Sequence, residues 1–162
     1  MDIALDEFSL RILDVLQENA EISNAELADR IGLSPSPCYR RVADLKQNGV
    51  IRGSVVLVDP LKLGLDINVF VHVSLKNQDQ ESLEIFTSAI EQRPEVMECY
   101  LMSGEADFLL RVAIEDLKKY QELLLECLTK IPCVASIRSS FALDRVKYTT
   151  VLPTGHLRKF RP

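Results

Sequence analysis

One short segment, residues 102–108, carries groups that could hold a small charged molecule. Its sequence is Met102-Ser103-Gly104-Glu105-Ala106-Asp107-Phe108. A glycine lets backbone N–H groups approach a carboxylate closely, and this is the role that suits Gly104. Glu105 and Asp107 offer oxygens to an ammonium group. Such a loop would fit the two charged ends of a free α-amino acid, although Ser-Gly is also an ordinary turn signal and a plain hairpin explains the same residues.

A second group of polar and basic residues lies between Ser34 and Asn48. Ser34 can cap a helix, prolines suit the first helical turn because their missing N–H costs nothing there, and Gly49 ends the helix. At about 100° per residue, apolar and polar side chains separate onto two faces. The inner face holds Cys38, Val42 and Leu45. The outer face holds Ser36, Arg40, Ala43, Asp44 and Gln47, with Tyr39 and Arg41 on its flanks.

Two further helices are predicted before this one. Apolar residues recur at helical spacing from Leu5 to Glu18. Ser23, followed three residues later by Glu26, is a capping box that opens a second, short helix, which Gly32 ends. Two helices, a tight turn and a third helix with a polar and basic outer face form the helix-turn-helix pattern. A three-helix bundle with another role has the same periodicity and stays open as an alternative.

The outer face of the third helix has the chemistry of a DNA-binding surface. The major groove of DNA admits one helix. Serine, tyrosine and arginine side chains near the N-terminus of that helix can reach phosphates and base edges. The helix N-terminus also carries partial positive charge, which phosphate oxygens satisfy. The β-rich segment 50–58 predicts a strand or small wing after this helix. We predict DNA contacts at Ser23, Asn24, Ser34, Ser36, Tyr39, Arg40, Arg41, Gln47 and Arg52.

The net charge of the chain, −5 at neutral pH, argues against generic nucleic-acid binding, which usually shows a basic domain. The local charge is different. Residues 38–53 carry the basic side chains of Arg40, Arg41, Lys46 and Arg52 against the single acid Asp44. Because salt screens electrostatic interactions over about 10 Å, a short basic segment can attract DNA phosphates even when the rest of the protein is acidic.

Beyond a linker at residues 59–65, the chain alternates between strands and helices. The predicted strands are 67–75, 96–102, 107–114 and 134–148, and the predicted helices are 80–92 and 117–130. Two βαβ-like halves in sequence give the split βαβ, or ferredoxin-like, arrangement. Its helices cover one face of the sheet. The other face is also fairly apolar, which predicts a homodimer.

The predicted fold class is therefore α+β, with two domains. An N-terminal winged helix-turn-helix domain spans residues 1–58, and a ferredoxin-like βαββαβ domain for ligand sensing and dimerisation spans residues 66–152. Residues 153–162 form a basic tail that includes Arg158, Lys159 and Arg161. We expect this tail to be a solvated end that is also able to touch DNA.

Several other function classes find little support. The cysteines, at positions 38, 99, 127 and 133, show no CxxC spacing and predict reduced thiols rather than a zinc site. The sequence shows no nucleophile–base pair and no glycine-rich phosphate loop, so we do not expect an enzyme. No apolar run is long enough to cross a bilayer, and the acidic start is unlike a secretory signal. We therefore expect a cytoplasmic protein.

The motifs of both predicted domains resemble those of the Lrp/AsnC family, the leucine-responsive or feast/famine transcription regulators. In the first domain the resemblance rests on Leu5-Asp6, Ile12-Leu13, Ile22-Ser23-Asn24-Ala25-Glu26-Leu27-Ala28, Gly32-Leu33-Ser34-Pro35-Ser36-Pro37-Cys38 and Arg41-Val42. In the second it rests on residues 102–110, 139–143 and 147–150. The resemblance covers nearly the whole chain.

The resemblance implies a DNA-binding regulator that forms homodimers, and often octamers, with a small amino acid as effector and no other cofactor. The implied effector contacts are Ser103, Gly104, Glu105 and Asp107, with Met102 and Phe108 as apolar walls, and Ser139, Ser140, Thr149 and Thr150 as weaker candidates. Ala106 is smaller than the residue some members carry there, so side-chain selectivity does not transfer. An amino-acid-binding sensor or interaction module without DNA binding is the alternative reading.

Overall fold

The computed structural model describes residues 5–158, which form two compact units. The first unit comprises the residues up to Val56 together with the segment from Lys147 onward, and the second unit comprises Leu57–Val146. The sequence-based domain limits differ from this division, because they assign residues 147–152 to the ligand domain. No helix in the described part of the chain is long and apolar enough to span a membrane.

Local capping explains where the helices of the first unit begin. These helices are α1 (Glu7–Glu18), α2 (Asn24–Ile31), α3 (Pro35–Gln47) and the short C-terminal α6 (Gly155–Arg158), numbered here in chain order with the elements below. The carboxylate of Asp6 accepts a hydrogen bond from the Ser9 N–H at 2.8 Å and caps α1. The capping box predicted for Ser23 and Glu26 is present. Gly32 then ends α2 in the left-handed conformation that favours glycine.

A small apolar core holds α1, α2 and α3 together. Its buried members are Ile12, Leu27, Ala28, Ile31, Cys38 and Leu45. The inner face predicted for α3 is confirmed, because Cys38 and Leu45 are both buried. Ser34 occupies the N-cap position of α3, but its side chain makes no capping hydrogen bond. The proline that follows supplies the preset backbone angle of a first helical turn.

The second unit is a four-stranded antiparallel sheet with two helices packed on one face. In chain order its elements are β1 (Ile67–Leu75), α4 (Gln80–Glu91), β2 (Val96–Leu101), β3 (Phe108–Ile114), α5 (Leu117–Glu126) and β4 (Val134–Phe141). Short 3₁₀ helices occur at Pro60–Leu63 and Leu128–Lys130. The strand order β2-β3-β1-β4 is that of the predicted ferredoxin-like βαββαβ arrangement.

Strand alternation divides the sheet into a packed face and an open face. Val69, Val71 and Val73 of β1 are fully buried in the core with Phe86 of α4. The residues between them in β1 point to the opposite face and are only half-buried. The two helices of this unit, α4 and α5, pack on the other face, and the open face carries both polar and apolar side chains.

Three predicted elements differ in the structure. Segment 50–58 forms no strand, because a strand needs a hydrogen-bonded neighbour and no segment of residues 5–158 pairs with it. The last strand ends at Phe141 rather than at residue 148, since its pairing runs out near Asn68 at the start of β1. The second long helix stops at Glu126, and a separate 3₁₀ turn replaces its predicted last residues.

Candidate DNA interface and ligand cavity

The outer face of α3 presents four of the predicted DNA contacts to solvent. Ser36, Tyr39, Arg40 and Gln47 are all exposed, and the exposed fraction of Tyr39 is 68%. Within residues 5–158, none of these four side chains makes a hydrogen bond or an ion pair. The long polar side chains of this face are therefore available to an external partner.

Arg41, on the flank of α3, has partners within its own unit. Its guanidinium lies 2.6 Å from the Asp6 carboxylate and 5.4 Å from the centre of the Phe8 ring. Partial burial acts to raise the pKa of Asp6, but hydrogen bonds from Ser9 and Arg41 outweigh it and hold that pKa below its ordinary value. These contacts tie α3 to the start of α1. Arg41 therefore has a structural role, and its DNA contact stays a prediction.

The other predicted DNA contacts lie in the turn regions around α2 and α3. The Ser23 hydroxyl is engaged in the capping box, and the Asn24 side chain donates to the Pro35 carbonyl at 2.9 Å, which joins α2 to the start of α3. Ser34 and Arg52 are exposed. Ser23 and Asn24 thus position the third helix, whereas Ser34 and Arg52 extend the polar surface beside it.

In the second unit, the loop between β2 and β3 borders a cavity of about 200 Å³. The lining residues are His72, Met102, Ser103, Gly104, Glu105, Ala106 and Arg138. Four of the predicted effector contacts, residues 102–105, are thus brought together. Gly104 has a φ of 144° with open space where a Cβ would stand. The positive φ, rather than crowding, is what requires glycine at this point of the loop.

Charged and polar groups from two other strands complete this cavity. Arg138 of β4 lies directly opposite His72 of β1 in the sheet. The Arg138 guanidinium is 3.4 Å from the Glu105 carboxylate, in an ion pair whose acid is 89% exposed. The His72 Nδ1 atom is buried with no hydrogen-bond partner among the described residues. Neither residue was predicted as a ligand contact. The available signal was the position of His72 between the buried residues Val71 and Val73 of β1, whereas β4 has no buried residues that would mark Arg138.

Asp107 holds the loop in place instead of facing the cavity. Only 9% of this residue is exposed. Its carboxylate accepts a hydrogen bond from the Leu75 N–H at 2.7 Å and another from the Gln78 side chain at 2.6 Å. The Asp107 N–H also donates to the Val73 carbonyl at 3.0 Å. Both carboxylate oxygens thus have partners at and just beyond the end of β1, which gives Asp107 a positioning role. Its direct contact with an ammonium group stays a prediction.

Five other predicted effector contacts are not among the residues that line the cavity. Phe108 is buried in the core, with its ring centre 4.4 Å from that of Phe86, and does not form a cavity wall. Ser139 points to the packed face, where its hydroxyl contacts the Tyr120 hydroxyl. Thr149 and Thr150 lie beyond β4 in the segment that belongs to the first unit. Ser140 pairs with Phe70, and so points to the open face of the sheet.

Replacing Asp107 or Glu105, the two acidic residues of the loop, should change the free energy of unfolding by very different amounts. Asp107→Ala is expected to lower the free energy of unfolding by about 1–3 kcal/mol, because it leaves the buried Leu75 N–H without an acceptor. Glu105→Ala is the matched control, and we expect a change within about 0.5 kcal/mol because Glu105 is exposed. Urea denaturation followed by circular dichroism measures both. Equal stability of the two variants would contradict the positioning role of Asp107.

The described residues contain no group of three or more His, Cys, Asp or Glu side chains placed to hold a metal ion. Cys38, Cys127 and Cys133 are buried free thiols, and Cys99 is exposed. Burial raises the pKa of the Cys38 thiol, and partial desolvation by its neighbours raises that of the Cys99 thiol, which favours the protonated forms.

A helix-turn-helix with an exposed polar face, joined to a βαββαβ unit with a charged cavity, defines the class of ligand-responsive DNA-binding proteins. The model of the Lrp/AsnC ligand binding domain matches residues 68–152, and a winged helix-turn-helix DNA-binding model matches residues 5–52. The chain belongs to the Lrp/AsnC family of transcription regulators.

Individual relatives match nearly the whole chain. The DNA-binding transcriptional activator DecR of Escherichia coli K12 is 34% identical over 92% of this chain and 98% of its own length. The leucine-responsive regulatory protein of the same organism is 37% identical over 91% of this chain and 90% of its own. A transcriptional regulator of Neisseria meningitidis, solved as a complex with L-Met, superposes with a TM-score of 0.91 at 37% identity, covering 94% of this chain and 99% of the other.

Proposed function

We propose that this protein is a transcription regulator that binds operator DNA through α3 and responds to a small amino acid bound at the β2–β3 loop. The observation that supports the DNA-binding part most directly is the exposed outer face of α3. Ser36, Tyr39, Arg40 and Gln47 lie there with no partner in residues 5–158. A helix of this kind enters the major groove with its N-terminal residues toward the base edges. Its place of action is the cytoplasm, where the DNA is.

The cavity offers a complementary site for each end of an amino acid. The α-ammonium group binds the Glu105 carboxylate, and the α-carboxylate binds the Arg138 guanidinium and backbone N–H groups beside Gly104. The existing pair of Glu105 and Arg138 is exposed and long at 3.4 Å, so it contributes little and opens readily. Met102 and Ala106 contact the ligand side chain, and His72 Nδ1 supplies a further polar contact. The Neisseria relative, which binds L-Met, supports an amino acid as the ligand.

Two copies of the chain associate through the open face of the sheet. Phe70 and Leu109 give this face apolar area, and Tyr100 is half-exposed beside them. The Asn68 Oδ1 atom is buried there without a hydrogen-bond partner among the described residues, so a second copy can supply one. The exposed apolar segment 55–58 is a second candidate contact. A dimer presents two α3 helices to half-sites roughly 34 Å apart, and the octamer implied by the resemblance is a further assembly.

The ligand proposal is tested with Arg138→Ala. A screen of the twenty amino acids by thermal shift first finds the one that raises the melting temperature most, because a ligand that binds the folded state stabilises it. Calorimetric titration with that amino acid should then show Arg138→Ala binding about 10–150-fold more weakly, as expected for the loss of a hydrogen bond between charged groups.

Lys118→Ala is the control, because it removes one positive charge from an exposed position on α5. We expect it to bind the amino acid with wild-type affinity. Unchanged affinity in Arg138→Ala would refute the proposed carboxylate contact. The absence of any thermal shift with all twenty amino acids would refute the proposed class of ligand.

A further inference from the structure

The C-terminal segment is docked on α1. The Leu152 N–H donates to Gln17 Oε1 at 2.7 Å, and Gln17 Nε2 donates back to the Leu152 carbonyl at 3.2 Å. One side-chain amide thus pairs with both polar groups of one backbone residue, as a neighbouring strand would. Leu152 directly precedes the predicted basic tail, residues 153–162, of which Lys159 and Arg161 lie outside the described residues.

A second residue of α1, Asp14, also binds the C-terminal segment, on the same face of the helix as Gln17. The Thr154 hydroxyl donates to Asp14 Oδ1 at 2.7 Å, and the Arg158 guanidinium forms an ion pair with Oδ2. Asp14 and Gln17 are three residues apart, so their side chains are neighbours on the helix. Among the described residues, the side-chain hydrogen bonds of both Asp14 and Gln17 therefore go to the C-terminal segment.

This docking is polar and therefore reversible. Leu152 and Leu157 remain exposed, so little apolar surface is buried by the contact. Exposed hydrogen bonds and ion pairs each contribute little net stability. Segments held in this way open more easily than a core element, and elements that move in regulation are drawn from this group.

The position of the segment in the chain connects it to the ligand cavity. The second unit is a single stretch, Leu57–Val146, so the chain leaves it by running directly into the docked segment. The last strand of that unit, β4, carries Arg138 of the cavity. A displacement of β4 when Arg138 binds a ligand would therefore pull on residues that are fastened to α1.

We propose that residues 147–158 form a regulatory strap that transmits the state of the cavity to the DNA-binding helices. While the strap is docked on Asp14 and Gln17, ligand binding at Arg138 changes DNA affinity. When the strap is released, the protein still binds DNA and ligand, but the two events are uncoupled. The coupling role rests on the proposed function, whereas the docking itself does not.

Docking is tested first, without DNA or ligand, by hydrogen exchange of the full chain. We expect the Leu152 amide to exchange at least tenfold more slowly in the wild type than in Gln17→Ala, because Gln17 Oε1 is its acceptor. Glu18→Ala is the matched control, since Glu18 is exposed on the same helix and makes no hydrogen bond or ion pair within residues 5–158. Wild-type exchange of Leu152 at the rate of an unfolded chain, or equal rates in all three proteins, would overturn the docking.

Coupling is tested with Asp14→Ala/Gln17→Ala and a duplex taken from upstream of the protein's own gene. An equimolar mixture of the twenty amino acids should change the duplex affinity of the wild type and of Glu18→Ala by at least fivefold. The same mixture should change the affinity of the double variant by less than twofold, while its affinity without amino acids stays within twofold of the wild type.

The outcomes separate the two proposals. An undiminished response in the double variant overturns the strap and leaves the proposed function standing. No response in the wild type overturns the proposed function and the coupling role together, while the exchange experiment still decides whether the strap is docked.

Discussion

Replacing Phe86 with alanine is expected to lower the free energy of unfolding of the second unit by about 3–5 kcal/mol. Phe86 is fully buried at the centre of the core, and its ring centre lies 4.4 Å from that of Phe108. The substitution removes the largest side chain of α4 from the core and leaves a cavity between helix and sheet. Urea denaturation, followed by circular dichroism, measures the loss.

Ile85→Ala provides the comparison within the same helix. Ile85 is 41% exposed, and alanine is a better helix former, so the expected loss is below about 1 kcal/mol. Similar losses in the two variants would contradict the packing described here. The prediction matters for function because Phe108 begins β3 directly after the ligand loop. Without the contact between Phe86 and Phe108, the end of the loop that precedes Phe108 is less firmly positioned.

The second prediction with a large expected effect concerns the affinity for DNA. Arg40→Ala is expected to weaken binding to the operator by about 5–150-fold, or 1–3 kcal/mol, as found when an arginine that reads a base is removed. Arg40 is the cation at the centre of the exposed face of α3 and has no partner within residues 5–158. Fluorescence anisotropy with a labelled duplex at fixed salt concentration measures the change.

Two further variants show which kind of contact Arg40 makes. Arg40→Lys keeps the charge but loses the planar fork, so it should recover only part of the operator affinity. Lys118→Ala removes a positive charge far along the chain, on α5, and should leave the affinity within twofold. If the Arg40→Ala variant bound the operator with wild-type affinity, that result would contradict a DNA contact by Arg40.

The features that the sequence predicted well are those with short-range causes. The capping box of Ser23 and Glu26 needs only four consecutive residues, and the inner face of α3 follows from helical spacing. The bounds predicted for the first strand of the second unit, 67–75, are likewise those of β1. These patterns sufficed for the fold class and for the order of the elements.

The features that the sequence did not predict depend on pairing between distant segments. Arg138 and His72 meet only because β4 and β1 pair in one particular register. Asp107 was predicted only as a ligand contact, and its hydrogen bonds to Leu75 and Gln78 follow from the way the loop meets the end of β1. The prediction of a strand at 50–58 was wrong for a related reason. Residues of high β propensity form a strand only where a partner strand is present.

The central claim is that the exposed face of α3 recognises a DNA sequence. The most direct test compares the dissociation constants of the wild-type protein for a duplex from upstream of its own gene and for a scrambled duplex of equal length, at the same salt concentration. We predict binding to the upstream duplex at least about 10³-fold tighter, within the usual range of specific recognition. Equal dissociation constants for the two duplexes would contradict the claim.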